Sequence, residues 1–347
     1  KQFRQNMSRI RSMIGKSRFC LPVKANAYGH GLAGIAKAAQ EAGVDCLGVS
    51  CLQEGVQLRG AGISIPILVF GAIHEDQIED LVKYDLEFSI SSSLKADLVA
   101  KKLSRKCRVH LEVETGMQRT GMRPQTALAL AQHLKTMPCF DLVGVYSHLA
   151  TADRKADPVA IAQIQTFKAL IQHPVFHQVS AHLANSGGVI HYPESHLDMV
   201  RPGLMAYGYP STPVEGIAPC FSLKSKISYF KVVEAGVGIG YGHQYTTRQR
   251  TRVVTVPIGY GDGYRRALSH RGSVLIRGKR FPIAGAICMD QFMVDIGQHE
   301  AFVGEEVVLI GKQGHGEIPL TEIAALCDTI PYEVLCLLNG RIPRIFI

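Results

Sequence analysis

Residues 19–200 repeat one pattern eight times: a short, mostly apolar run followed by a stretch with helical spacing. The runs are residues 19–23, 46–49, 65–70, 86–90, 108–113, 142–146, 179–183 and 197–200. Runs that do not alternate apolar with polar are buried on both faces, as strands of a parallel sheet are. The intervening stretches supply the crossovers. Residues 34–42 form an alanine-rich helix that Gly43 stops. Asp157-Pro158 opens another as N-cap and first helical position, with Ile161, Ile164, Phe167, Leu170 and Ile171 on one face. Eight strands alternating with helices predict a (β/α)8 TIM barrel. A doubly wound sheet is the alternative, but no Gly-x-Gly-x-x-Gly follows the first strand. The glycines of Gly238-Ile239-Gly240-Tyr241-Gly242 lie among β-type residues and open no helix.

The pattern changes near residue 220. Residues 222–230, 252–256, 272–276, 281–286, 293–296 and 306–310 are β-branched or alternating, with glycine-rich turns between them. One helix interrupts them, residues 321–327, with Thr321 as N-cap. The expected organisation is a barrel over 1–220 followed by a mostly β domain over 221–347.

Composition excludes several classes. The formal charge is +9, from 38 basic and 29 acidic residues, but the basic residues are scattered and form no aromatic-interleaved stripe, so nucleic acid is not an expected partner. The longest apolar run, residues 63–73, is broken by Pro66 and falls well short of the roughly 20 residues of a membrane span. The basic start has no apolar core and does not read as a secretory signal. The first residue is not methionine, so the natural N-terminus is expected upstream. Nine cysteines, an odd number without a Cys-x-x-Cys pair, fit reduced thiols in a cytoplasmic protein. Fourteen histidines show no metal-ligand spacing, and no metal is expected.

Barrels gather functional groups at the C-terminal ends of their strands. Lys24 follows the first strand, where desolvation lowers an amine's pKa and makes it a nucleophile toward an aldehyde. Glu112 and Arg119 lie at and after the fifth strand, His148 at the sixth, Asn185 and Ser186 after the seventh, and Arg201 after the eighth. Each alone could be structural, but together they form a constellation. Ser186 and Gly203 fall after strands seven and eight, where barrels often build phosphate sites from a hydroxyl and backbone N–H groups.

The segment Val23-Lys24-Ala25-Asn26-Ala27-Tyr28-Gly29-His30-Gly31 resembles the cofactor-attachment segment of alanine racemases, and ordered matches continue almost to the C-terminus, through Arg344-Ile345-Phe346. The resemblance implies pyridoxal 5′-phosphate bound covalently to Lys24. Its phosphate would be held by Ser186, Gly203 and the backbone of Leu204, with Asn185 beside them and help from Tyr28 and Tyr332. Arg201 would donate to the pyridine nitrogen; a guanidinium keeps its proton, so that nitrogen stays unprotonated and the ring is a weaker electron sink. Lys24 would serve as base on one face of the substrate Cα. Tyr241, in Gly240-Tyr241-Gly242 of the partner subunit, would serve the other, assisted by His148. Arg119 and the backbone of Met289, in Cys288-Met289-Asp290, would bind the substrate carboxylate, and Tyr260 and Tyr332 would narrow the entrance to favour alanine. The implied protein is a homodimer with shared active sites, interconverting L- and D-alanine for bacterial peptidoglycan.

Two departures stand out. Family members usually open with a tryptophan-containing strand; this chain begins within its first helix and has no tryptophan. Glu112 stands where many members carry a lysine that becomes carbamylated and orients the arginine matching Arg119, so Glu112 is expected to hold Arg119 directly or through water or an anion. Alternatives of the same chemistry are a broader-specificity or serine racemase. Single-barrel pyridoxal-phosphate-binding proteins that are not racemases lack the β domain carrying Tyr241 and Cys288-Met289-Asp290.

Overall fold

The structure, a computed structural model, describes residues 1–347. They divide into two compact units, Lys1–Cys220 with Ile347, and Phe221–Phe346. The first is a closed barrel of eight parallel strands in sequence order: β1 (Arg18–Pro22), β2 (Cys46–Val49), β3 (Ile67–Val69), β4 (Glu87–Ser89), β5 (Cys107–Glu112), β6 (Phe140–Tyr146), β7 (Ser180–His182) and β8 (Met199–Val200). β8 closes on β1 with Arg18 opposite Met199 and Phe19 opposite Val200. β2 and β3 are buried at every residue, as strands covered on both faces must be. Cys20, Cys46, Leu68 and Met199 fill one part of the interior, with Phe70 packed on them. Any side chain at Gly48 would run into the Phe70 ring.

The helices follow the expected pattern with two informative shifts. Helix Leu32–Glu41 begins two residues earlier than the spacing suggests and buries Leu32, Ile35, Ala36 and Ala39, with Gly43 at φ 74° just beyond it. Asp157 caps helix Pro158–Ile171, accepting from Val159 N and Ala160 N. Its buried stripe is Ala160, Gln163, Ile164 and Phe167, while Ile161 is exposed. The helix turns this way because the Gln163 amide is consumed locally. It donates to His148 O at 2.9 Å and Thr115 Oγ1 at 3.2 Å and accepts from Ala150 N at 2.8 Å. A fully hydrogen-bonded amide buries cheaply.

The first helix, Gln2–Ile14, buries Phe3, Asn6, Met7, Ile10 and Ile14. Asn6 is fully buried and acts as a clamp: Nδ2 donates to Ala206 O (3.1 Å) and Ala218 O (2.8 Å), and Oδ1 accepts from Ala218 N (3.1 Å).

The second unit is an antiparallel sheet. Its strands are β9 (Leu223–Lys226), β10 (Tyr229–Val233), β13 (Thr251–Val256), β14 (Ser273–Ile276), β15 (Lys279–Ala284), β16 (Phe292–Asp295), β17 (Glu306–Gln313) and β18 (Gly316–Ile318), with a separate pair β11 (Gly238–Ile239) and β12 (Tyr245–Thr246). Residues 222–230, expected as one strand, hold the whole of β9 and the start of β10. β9 pairs with β17 and β10 with β13, and the chain changes partner where Ile227 N bonds Glu305 O and Ser228 N bonds Thr255 O. Thr321 is not a cap: it lies inside helix Leu320–Leu326, whose N-cap is Pro319. Helix Pro331–Leu337 was signalled only by proline at its first position. No helix is long and apolar enough to cross a membrane.

Replacing Asn6 with Leu keeps the volume but leaves the Ala206 and Ala218 carbonyls and the Ala218 N–H unpaired. At about 1–3 kcal/mol for each buried group stranded, Asn6→Leu should lower the denaturation midpoint clearly, and the shift is readable by circular dichroism in urea.

Candidate active site

β1 delivers Lys24. After Pro22 the chain stays paired, Val23 N to Gly48 O at 2.8 Å, and then coils left-handed: Ala25, Asn26, Ala27 and Tyr28 all have φ between 52° and 56°. For L-residues this hand costs roughly 1–2 kcal/mol each, so the turn persists only because its surroundings hold it. Ala27 N bonds Val23 O (2.7 Å), Gly29 N bonds Ala25 O (3.0 Å) and Gly31 N bonds Asn26 O (2.9 Å). Glu54 accepts from Ala25 N at 2.6 Å, and the Asn26 side chain accepts from Leu32 N at 2.8 Å. Tyr28 is buried, its ring 5.0 Å from that of Tyr207, which in turn bonds Pro22 O.

The ends of β7 and β8 meet beside this turn. Asn185 caps helix Ser186–His191 by accepting from Gly188 N, and it donates to Leu149 O, so its side chain is committed to positioning the loop. Ser186 Oγ accepts from Gly203 N at 3.0 Å and Met205 N at 3.3 Å. Gly203 is required: a Cβ there would come within 2.8 Å of the Tyr28 hydroxyl. Leu204 begins the tight turn Leu204–Tyr207. Tyr28, Ser186, Gly203 and Leu204 thus share one cradle of a hydroxyl, a phenol and backbone N–H groups.

Arg201 is buried in the barrel with no carboxylate against it. Nη1 donates to His182 O (2.8 Å) and His182 Nδ1 (2.7 Å); Nη2 donates to Ser147 O (2.5 Å) and, more weakly, to Leu183 O (3.4 Å). These bonds use both terminal nitrogens and none uses Nε. Because a guanidinium only donates, His182 Nδ1 must be the acceptor and its Nε2 carries the proton. That proton faces His110 Nδ1 at 3.1 Å, so His110 in turn donates from Nε2 to Glu87 Oε2 at 2.9 Å. The series runs in one direction and ends on a carboxylate that Arg108 also holds, at 2.8 Å. Burial first, then the Arg201 charge, drives His182 well below its ordinary pKa. Burial pushes Glu87 up, but the hydrogen bonds from His110 and Arg108 and the Arg108 charge outweigh it and hold the carboxyl low. Gly144 makes room, since any side chain there would strike the His110 ring.

His148 lies after β6, close enough to Arg201, Arg119 and Lys24 to feel their charges. Burial first, then those three cations, bring its pKa down to about 3. It is a neutral imidazole at physiological pH.

Glu112 makes no direct hydrogen bond or ion pair with Arg119. Its carboxylate accepts from Thr120 Oγ1 at 2.8 Å and from the Tyr146 hydroxyl at 3.3 Å, and Arg119 is exposed with no hydrogen bond to it. The side chain is short and spends its oxygens on the nearer hydroxyls. Tyr146 also bonds Ser89 at 2.8 Å, and burial followed by the Glu112 charge raises its pKa.

In the second unit, Tyr260, Cys288 and Met289 come together: Tyr260 N bonds Cys288 O (3.1 Å) and Gly261 N bonds Met289 O (2.8 Å). Asp290 pairs with Arg341 at 2.7 Å. Tyr241 is exposed, in a turn whose Gly240 at φ 72° packs near Ala286. Tyr332 sits in the first turn of helix Pro331–Leu337. Glu54, Glu87, His110, Tyr146 and His182 escaped sequence reasoning. The one available signal was a histidine within each of two barrel strands, His110 in β5 and His182 in β7.

The barrel thus carries a lysine, a buried arginine with no carboxylate bonded to it and a hydroxyl-lined cradle at its strand ends, and an antiparallel unit follows it. The first unit matches the model for the alanine racemase N-terminal domain over residues 1–211, and the second matches the C-terminal domain over residues 220–346. The alanine racemase of Symbiobacterium thermophilum is 40% identical over 354 residues, covering 99% of this chain and 94% of that one. That of Halothermothrix orenii is 38% identical, covering 98% and 93%. Among solved structures, the alanine racemase of Clostridium difficile superposes with a TM-score of 0.92 at 35% identity, covering 98% of this chain and 92% of that one. The Bacillus anthracis enzyme with bound L-Ala-P does so at 0.92 and 34%, covering 100% and 92%. The chain belongs to the alanine racemase family.

The His148 shift has a defined sign. With a folded pKa of about 3 against an ordinary 6.5, the unfolded chain binds a proton that the folded one refuses, so stability falls as pH drops from about 6.5 toward 3. His148→Gln should lose less melting temperature over that window than the unsubstituted protein, measured by thermal melts at stepped pH.

Proposed function

We propose that this protein interconverts L-alanine and D-alanine with pyridoxal 5′-phosphate carried covalently by Lys24 and with active sites shared across a homodimer. One observation carries the reading: the Ser186–Gly203–Tyr28 cradle adjoins the Lys24 turn in the same barrel mouth as Arg201. The donor set fits the cofactor. A phosphate needs hydroxyls and N–H groups, which Ser186, Tyr28, Gly203 and Leu204 supply, with Asn185 holding the loop; the resemblance alone adds Tyr332 as a further phenol. A pyridine nitrogen needs a donor, and Arg201 retains its Nε–H after its four other bonds.

When bound, the cofactor draws electrons from the Cα of the attached amino acid and so acidifies its Cα–H. The residues of this chain do the rest. Lys24 Nζ takes or returns the proton on one face, and Tyr241 of the partner subunit does so on the other. His148, neutral at working pH, is an acceptor able to assist that phenol. Arg201 gives no proton to the ring, which limits how far charge leaves Cα and disfavours transamination. The His182–His110–Glu87 series keeps Arg201 in place. Arg119 and the backbone N–H of Met289, flanked by Cys288 and Asp290, bind the substrate carboxylate, and Tyr260 and Tyr332 restrict the side chain to a methyl by steric exclusion. The Clostridium difficile enzyme in complex with cycloserine, 34% identical with a TM-score of 0.89, and the Bacillus anthracis enzyme with L-Ala-P support recognition of alanine-sized ligands. Nine unbridged cysteines suit the cytoplasm, where D-alanine is made for peptidoglycan.

Following L-to-D conversion by circular dichroism over a panel of amino acids tests the activity, with alanine turned over fastest. Borohydride reduction and peptide mapping should put the pyridoxyl mass on Lys24; a label on another lysine overturns the assignment. Mixing inactive Lys24→Ala and Tyr241→Phe chains should restore about a quarter to a half of activity through heterodimers with one intact site. Failure after verified subunit exchange would place each site within a single chain.

A further inference from the structure

The opposite end of the barrel holds a second cavity, of about 240 Å³, lined by residues at or near the starts of strands: Arg18 on β1, Cys46 on β2, Glu87 on β4, Arg108 on β5, Ser180 on β7 and Met199 on β8. Lys24, Ser186 and Arg201 all follow the other ends of their strands, so this cavity is separate from the site above. Its charges do not cancel. Glu87 has both oxygens engaged, one by Arg108 and one by His110, and His110 is neutral by the donor order already derived. Arg18 makes no ion pair and no side-chain hydrogen bond, leaving one cation unmatched among the lining groups. Of the acids nearby, Asp85 is paired with Arg105 and Arg108 and Asp45 with Arg11, while Asp198 accepts from Ala181 N and makes no ion pair with Arg18. The Ser180 hydroxyl is buried without any partner, an uncommon state for a native polar group.

We propose that this mouth of the barrel binds a small monocarboxylate, with Arg18 as its counter-ion, Ser180 as a hydroxyl donor and the Met199 side as an apolar wall. The single unmatched positive charge favours a monoanion over a phosphate dianion. Size sets the class further: a cavity of about 150 Å³ accepts benzene, so 240 Å³ accommodates a ring with a carboxylate. Arg18 is exposed at the rim, where a guanidinium can meet a carboxylate with two parallel bonds.

Isothermal titration of the holoenzyme with benzoate, in saturating alanine, tests this, with benzamide as the uncharged isostere. Benzoate should bind one site per chain and benzamide at least tenfold more weakly. Arg18→Met should weaken benzoate at least tenfold and Ser180→Ala severalfold. Neither variant should lower the melting temperature, because Arg18 is unpaired and the Ser180 hydroxyl has no bond to lose. Benzoate binding no better than benzamide, unchanged binding in both variants, or loss of binding when alanine is added would each overturn the proposal. Alanine occupies the other end of the barrel, so failure here leaves the racemase reading intact.

Discussion

A permanent charge buried among neutral groups organises the barrel interior. Transferring a guanidinium out of water is costly unless every exposed donor finds an acceptor. Arg201 finds three carbonyls, from Ser147, His182 and Leu183, and one imidazole. Along its hydrogen bonds the nearest carboxylate is two histidines away. That distance has consequences: it fixes the tautomers of His182 and His110, requires Glu87 ionised at the far end, and requires glycine at position 144. The Arg201 guanidinium also lies 5.2 Å from the Tyr146 ring centre, and Tyr146 stacks on His182 at 4.9 Å. Aromatic faces thereby take up positive charge that no directly bonded anion meets. A donor held this rigidly is preorganised for one acceptor in one direction.

The Lys24 turn is the second constraint, and it stores strain. Four consecutive L-residues in the left-handed region are tolerated because backbone bonds, Glu54 and Asn26 over-determine them. The consequence is positional: a left-handed turn reverses the chain in few residues, so Lys24 and Tyr28 both stay at the mouth of the barrel. Tyr28 then reaches the glycine that follows β8. Residues separated by most of the barrel's sequence become neighbours through one unusual turn.

The β unit contributes differently. Its candidate residues sit in glycine-rich turns where backbone carbonyls and N–H groups are already paired: the turn of Tyr260 packs on Cys288 and Met289, and Gly259 could carry no side chain without striking their carbonyls. Tyr241, Tyr260 and Met289 remain exposed.

The periodicity of the chain alone determined the barrel, because eight buried runs interleaved with helical spacing admit few other folds, and the change to alternating β segments marked the second unit. That Lys24, Ser186, Gly203 and Arg201 lie at one end of the barrel was legible because the ends of barrel strands converge. Tertiary structure decided the rest. Whether Glu112 meets Arg119 or turns to Thr120 depends on side-chain reach, and the strand break at Ile227 depends on which neighbour each half pairs with. Which face of helix Pro158–Ile171 is buried was set by Gln163 finding three partners. The His182–His110–Glu87 series joins three strands, and Arg18 lines the same mouth of the barrel as Glu87 without bonding to it. Such groupings leave no trace in sequence spacing, since hydrogen bonds between strands far apart in the chain exist only once the barrel has closed.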